Sequence, residues 1–259
     1  MAERLFIAGP CVLESEESAL ETARMLSSVF DGRDGVEWVF KASFLKDNRT
    51  SAGSFRGPGM DVGLSILAAV REAARVRVTT DVHESSQVER VAGVVDIIQI
   101  PAFLCRQTSL LEAAGGAGLP VNVKKGQFMD PRNMAGAVEK LRSAGCPCVM
   151  LTERGSFFGY GDLVVDFRSL SVMGALCDAV ILDVTHSLQR PGASGSSSGG
   201  DRVHAVRLAR AAAAWGVDGL FLESHPRPGE SPSDRETILD LDDTLALVEA
   251  AIRHWEGAR

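Results

Sequence analysis

Polar and ionisable side chains recur in this sequence just after short apolar runs, and their types are those of an anion-handling site. In order they are Cys11, Lys41 with Lys46, Asp81 with His83, Gln99, Lys124 with Lys125, Glu153 with Arg154, Asp183 with His186, and Glu223 with His225. Cations concentrate there: Lys41, Lys46, Arg49, Arg56, Arg106, Lys124 and Arg154 all follow such runs, in a chain whose formal net charge is −7. A guanidinium matches phosphate or carboxylate oxygens bidentately, whereas lysine supplies a movable point charge. The mixture implies a ligand set carrying at least two anionic groups. Taken singly, a lysine after a strand is most often a solvated loop residue. Eight polar run ends together resist that explanation.

A second constellation is Cys11, His186, Glu223 and Asp234, which follow the first, seventh and eighth apolar runs. One thiolate, one imidazole and two carboxylates suit Zn2+, Fe2+ or Mn2+ better than Ca2+ or Mg2+. Spacing alone leaves two readings open, because a lone cysteine near a strand end is commonly a small buried hydrophobe. Cys146-Pro147-Cys148, at the start of a run, points to packing on the opposite face.

The elements that must position these groups are legible as a repeat. Apolar or β-branched runs lie at residues 5–8, 38–44, 76–80, 97–100, 121–123, 149–151, 179–182 and 219–222. Between them, helical spacing occurs at 18–30, 62–75, 133–144, 203–215 and 244–254. Strands alternating with helices imply parallel pairing. Eight such units over 259 residues fit a single (β/α)8 TIM barrel spanning the chain, whose strands are buried on both faces and so lack polar alternation. In that fold all the run ends converge on one mouth. A doubly wound open sheet is the rival, and the first run is not followed by Gly-x-Gly-x-x-Gly. The Ser/Gly-rich stretch 192–200 reads as a mobile loop over the site.

Composition limits the alternatives. The acidic balance disfavours nucleic acid as a partner, since a phosphate backbone rewards basic patches. No apolar stretch approaches the roughly 20 residues of a membrane span. The first residues are wrongly flanked for a signal peptide, and five cysteines make an odd count. A cytoplasmic protein with reduced thiols is expected.

Longer motifs carry a family resemblance. They are IAGPCVLES at 7–15, FKASFLKDNRTSAGSFRGPG at 40–59, TTDVHE at 79–84 and IIQIPAFLCRQTSLL at 97–111. VNVKKGQF at 121–128, LTERGSFFGYGDLVVDFRSL at 151–170, DVTHSLQRPG at 183–192 and FLESHPRPGESPSD at 221–234 complete them. From about residue 5 to 250 the chain resembles the 3-deoxy-D-manno-octulosonate 8-phosphate synthases. The resemblance implies a homotetrameric barrel that joins phosphoenolpyruvate, arabinose 5-phosphate and water and releases phosphate. It implies Lys41 and Lys46 beside the phosphoenolpyruvate carboxylate and reacting centre, and Lys124, Arg154 and the backbone near Ala102 on its phosphate. Asn48, Arg49 and Thr50 would grip the sugar phosphate, helped by Arg106 from a neighbouring subunit, with Gln99 a further substrate contact. Catalysis would fall to Lys46, Asp81, Cys11 and His186. The thiol at Cys11 resembles the metal-dependent branch, which implies that Cys11, His186, Glu223 and Asp234 hold a divalent metal ion. His83 would be structural or a partner of a ligand. The related synthase using erythrose 4-phosphate and a silent phosphosugar-binding barrel are the alternatives.

Overall fold

Each of the eight apolar runs forms a strand in a computed structural model that describes residues 4–48, 53–157, 159–191 and 199–257. The strands are β1 (Arg4–Gly9), β2 (Val36–Lys41), β3 (Arg77–Asp81), β4 (Ile97–Ile100), β5 (Val121–Lys124), β6 (Val149–Glu153), β7 (Ala179–Asp183) and β8 (Gly219–Glu223). All neighbours pair in parallel, and β1 pairs with both β2 and β8, so the sheet closes into a barrel. A helix follows each strand: α1 (Glu16–Phe30), α2 (Met60–Ala74), α3 (Val88–Ala92), α4 (Thr108–Gly115), α5 (Ala135–Ser143), α6 (Arg168–Gly174), α7 (Ala205–Trp215) and α8 (Leu241–Gly257).

Local chemistry sets the helix ends. The Ser15 hydroxyl accepts the Ser18 amide and Glu16 and Glu17 occupy the first turn, so α1 starts where its dipole is complemented. Gly216, at φ 96°, lets α7 end in a left-handed turn. Periodicity marked five helices. The other three, α3, α4 and α6, have 5, 8 and 7 residues, too few turns to display an apolar stripe. The second strand stops at Lys41 rather than continuing to residue 44.

The core has two parts. A large cluster fills the space between strands and helices, with Phe6, Phe30, Trp38 and Trp255 in aromatic contact. A smaller one, Ile7, Val39, Ile97, Met150, Ile181 and Phe221, plugs the barrel interior. Because side chains alternate across a strand, the residue two positions on from an inward plug residue also points inward. From Val39, Ile97, Ile181 and Phe221 that step reaches Lys41, Gln99, Asp183 and Glu223. The barrel therefore presents a polar, mostly charged layer directly above an apolar one, at the C-terminal ends of the strands.

Candidate active site

The inward layer forms a cavity of about 390 Å3 whose lining includes Lys41, Lys46, Asp81, Gln99, Lys124 and His186. The Phe221 ring of the interior plug packs against two of these lysines, with Lys124 Nζ 3.2 Å and Lys41 Nζ 5.5 Å from the ring centroid. Lys41 Nζ donates to Ser43 Oγ (2.9 Å) and the Cys11 carbonyl (3.4 Å), and lies 3.4 Å from Asp81 and 3.6 Å from Glu223. Burial would raise the Asp81 carboxyl, but Lys41 and Lys46 overcome it and hold that group well below the usual carboxylate range. Ser43 Oγ and Gln99 Nε2 (2.7 Å) both donate to it. Gln99 is itself oriented, since its Oε1 accepts from Asn122 Nδ2 (3.0 Å) and Asn122 Oδ1 accepts from Thr152 Oγ1 (2.7 Å). This chain of bonds crosses four strands and leaves the Gln99 amide one orientation.

Opposite Asp81, Lys124 Nζ is paired with Asp183, whose carboxylate also accepts the His186 amide (2.8 Å) and faces His186 Nδ1 (2.7 Å). Burial lowers the Lys124 ammonium to about 8, with Asp183 opposing the fall. Burial would raise Asp183, yet His186 and Lys124 hold it far below its ordinary value. Arg154 is buried beyond this pair. Its Nη2 donates to Gln189 Oε1 (3.0 Å), while Nη1 is buried with no partner among the described residues. A buried guanidinium nitrogen without an acceptor is costly, and an anionic oxygen is the group that would satisfy it.

Beside Lys41 and Lys46 the thiol and carboxylates meet. Ligand atoms of Cys11, Glu223 and Asp234 lie within 4.8 Å of one another, and His186 Nε2 is 3.6 Å from Glu223 Oε1. Glu223 is fully buried, yet among the described residues neither carboxylate oxygen accepts a hydrogen bond; Lys41 and Lys46 stand at 3.6 and 3.9 Å. Cys11 Sγ donates to Asp234 Oδ2 at 2.8 Å. Burial, Asp234 and Glu223 together push the Cys11 thiol well above its usual range. Burial would raise Asp234, but His186 and Lys46 bring it to about 2. Asp234 also has φ 55°, a left-handed conformation that non-glycine residues keep only where the surroundings impose it. Two bare carboxylate oxygens beside a thiol and an imidazole whose other nitrogen is held by a carboxylate fit a borderline divalent cation.

Most of the anticipated residues join this mouth, and a few do not. Asn48 and Ala102 line the cavity. Arg49 and Thr50 lie outside the described residues. Arg106 is exposed and off the cavity lining of this chain. Lys125 and Glu153, one residue out of step with their inward neighbours, pair with each other at 3.4 Å and brace the loops after β5 and β6. His225 turns to Glu14 (3.1 Å). His83 lines the cavity, edge-on to Phe44, and burial lowers its imidazole. Cys146 and Cys148 sit at the start of β6, on the far face, where Cys146 Sγ donates to the Cys148 carbonyl. Sequence reasoning counted Asp183 among the polar run ends without giving it a specific role, and gave Asn122, Thr152 and Gln189 none. The two-residue step from Ile181 marks Asp183; no local pattern marks Gln189.

A closed parallel barrel whose mouth gathers three lysines, a buried arginine and a thiol–carboxylate cluster belongs to the class of anion-binding (β/α)8-barrel enzymes. Within that class the family is defined by sequence: residues 2–255 match the DAHP synthetase I family, and the chain belongs to it. It is 53% identical over 241 residues to the 2-dehydro-3-deoxyphosphooctonate aldolase of Desulfatibacillum aliphaticivorans, covering 93% of this chain and 88% of the relative. To the protein of that name from Magnetococcus marinus it is 54% identical over 243 residues, 94% and 84% of the two chains. The Stenotrophomonas maltophilia relative, also so named, is 51% identical over 243 residues, 94% and 88%.

Proposed function

We propose that this chain condenses phosphoenolpyruvate with arabinose 5-phosphate and water to give 3-deoxy-D-manno-octulosonate 8-phosphate and phosphate. Relatives at 51–54% identity over nearly the whole chain carry the name of that activity. The observation that carries the reading is the gathering of Lys41, Lys46 and Lys124 on one cavity, with the half-satisfied Arg154 buried close to Asp183 behind it.

In the reaction, the enol carbon of phosphoenolpyruvate attacks the aldehyde and forms the carbon–carbon bond. Negative charge develops on the aldehyde oxygen, and positive character at the carbon bearing the phosphate ester. Water adds there, and the carbon–oxygen bond to phosphate breaks. Lys124 and Arg154 hold the ester phosphate and Lys41 the carboxylate, fixing the enol between them. Lys46, kept charged against burial by the Glu223, Asp81 and Asp234 carboxylates, faces the aldehyde oxygen and stabilises its developing charge. Asp81, locked by Ser43 and Gln99, orients the attacking water as a hydrogen-bond acceptor, and the water's protons pass to the aldehyde oxygen and the departing phosphate. Cys11, His186, Glu223 and Asp234 would hold a divalent ion, Zn2+, Fe2+ or Mn2+, which when bound supplies Lewis-acid polarisation of the aldehyde. Asn48, Arg49 and Thr50 take the sugar phosphate, with Arg106 reaching from a neighbouring subunit.

Phe103, Phe128 and Phe157 expose about half their surface on loops at this end of the barrel, which supports a homotetramer that covers them. No helix among the described residues is long and apolar enough to cross a membrane. Phosphorylated substrates are retained inside a membrane, so we place the reaction in the cytoplasm. The test is phosphate release from phosphoenolpyruvate with arabinose 5-phosphate or erythrose 4-phosphate, before and after chelation. Release with the five-carbon sugar, lost on chelation and restored by metal, is expected. Release only with the four-carbon sugar refutes the substrate, and activity indifferent to thorough chelation refutes the metal.

A further inference from the structure

Gln189 sits between the two halves of the site and touches both. Its Nε2 donates to Asp234 Oδ1 at 2.6 Å, and its Oε1 accepts from Arg154 Nη2 at 3.0 Å. The side chain is buried. Its backbone is fixed in a short antiparallel ribbon, Gln189–Arg190 against Gly199–Gly200. We propose that Gln189 is a positioning residue that couples occupancy of the cation cluster to occupancy of the phosphate-binding arginine. The inference rests on the metal-binding reading of Cys11, His186, Glu223 and Asp234 given above.

The chemistry of the amide fixes which of its ends faces which partner. A carboxylate only accepts and a guanidinium only donates, so a residue bridging them must donate at one end and accept at the other. A carboxamide does this without adding charge, and reversing it would break both bonds. Asp234 uses its two oxygens separately, Oδ1 toward Gln189 and Oδ2 toward Cys11 Sγ at 2.8 Å and Ser233 Oγ at 3.0 Å. The amide thereby sets the rotation of the carboxylate that aims Oδ2 at the cation cluster. Arg154 has one nitrogen on Gln189 and another buried without a partner among the described residues. An anion seated on that free nitrogen fixes the guanidinium plane, which fixes the amide, which holds Asp234 in its ligating rotation. Linkage is reciprocal, so a cation on Asp234 must favour the anion by the same factor.

The probe pair is Mn2+ with inorganic phosphate, titrated calorimetrically into the full chain after metal removal. In the wild type, saturating phosphate is expected to tighten Mn2+ binding about tenfold, within the usual span of allosteric factors. Attraction through space between the two ions survives any change at residue 189, so the comparison is with Gln189→Met, which keeps length and volume but neither bond. There the enhancement is expected to fall to about twofold. Gln189→Glu keeps the acceptor for Arg154 and loses the donor to Asp234, and its enhancement should fall as well. Thermal melting of all three proteins keeps misfolding distinguishable from lost coupling. An enhancement in either folded variant within twofold of wild type overturns the role of Gln189, as does a wild type that binds Mn2+ with no response to phosphate. A wild type that binds no Mn2+ overturns the metal reading itself, a distinct outcome.

Discussion

Asp183→Asn isolates what a buried carboxylate does for Lys124, the lysine proposed to bind phosphate. Asp183 pairs with Lys124 and faces His186 Nδ1, and no part of its side chain reaches solvent. Asparagine keeps the shape and still accepts the His186 amide now bonded at 2.8 Å, so the turn that begins there should persist. The negative charge is lost. Removing one partner of a buried ion pair costs the other about 3 kcal/mol or more, and here the Lys124 ammonium bears that cost. At about 1.4 kcal/mol per pH unit, its ionisation moves from about 8 to about 6. Raising the pH through that value removes the charge, so at pH 7 the charged fraction of the free enzyme falls from roughly nine-tenths to roughly one-tenth. The expected outcome is a tenfold loss in kcat/KM for phosphoenolpyruvate at pH 7, with the alkaline limb of its pH profile displaced from near 8 to near 6. The variant should regain ground on the wild type at pH 5.5. If its alkaline limb stays near 8, Asp183 does not maintain the lysine charge and this account of the phosphate site is wrong.

Two further substitutions probe the cluster and its support. Cys11→Ala removes the soft donor from the Glu223–Asp234 group and should abolish or strongly lower turnover together with bound metal; elemental analysis of the purified protein showing unchanged metal at an unchanged rate would refute the role of the thiol. Gly9→Ala should fail for steric reasons, because a Cβ there would lie 2.1 Å from the Lys41 carbonyl oxygen, backbone that cannot move without disturbing the β1–β2 pairing. A cost of about 3 kcal/mol, seen as a melting temperature lowered by roughly 6–10 °C, is expected, and calorimetry finding a change under 2 °C would contradict it.

The barrel was legible because its signal is repeated. Each strand buries both faces and so reads as an apolar run, and eight such runs between helical stretches leave few closed arrangements. The site was legible where the two-residue step of a strand carries an inward apolar residue to an inward charge, as from Val39 to Lys41 or Phe221 to Glu223. It was not legible one residue out of that step. Lys125 and Glu153 have the same chemistry and the same strand-end position as their neighbours, but they turn outward and satisfy each other. Gln189 escaped because its role depends on Asp234, 45 residues away in sequence, and on Arg154, 35 away. Neutral bridging groups of this kind have no local signature.

The electrostatics of the mouth argue that these charges are there for a ligand. Lys41, Asp81, Lys124, Asp183 and Glu223 are all buried, and burying an ion pair commonly gains nothing over well-packed apolar residues. The interior plug directly below shows that the barrel accommodates such packing. A chain selected for stability alone would extend that plug upward by one layer. This one instead keeps an arginine nitrogen and both oxygens of Glu223 buried without hydrogen-bond partners among the described residues. Each unmet group costs about 1–3 kcal/mol, more where it is charged, until something fills it. An anion at Arg154 and a cation at Glu223 would remove both penalties at once. The binding free energy of the ligands is then partly the relief of stress that the fold already carries, and the same groups are oriented before the substrates arrive.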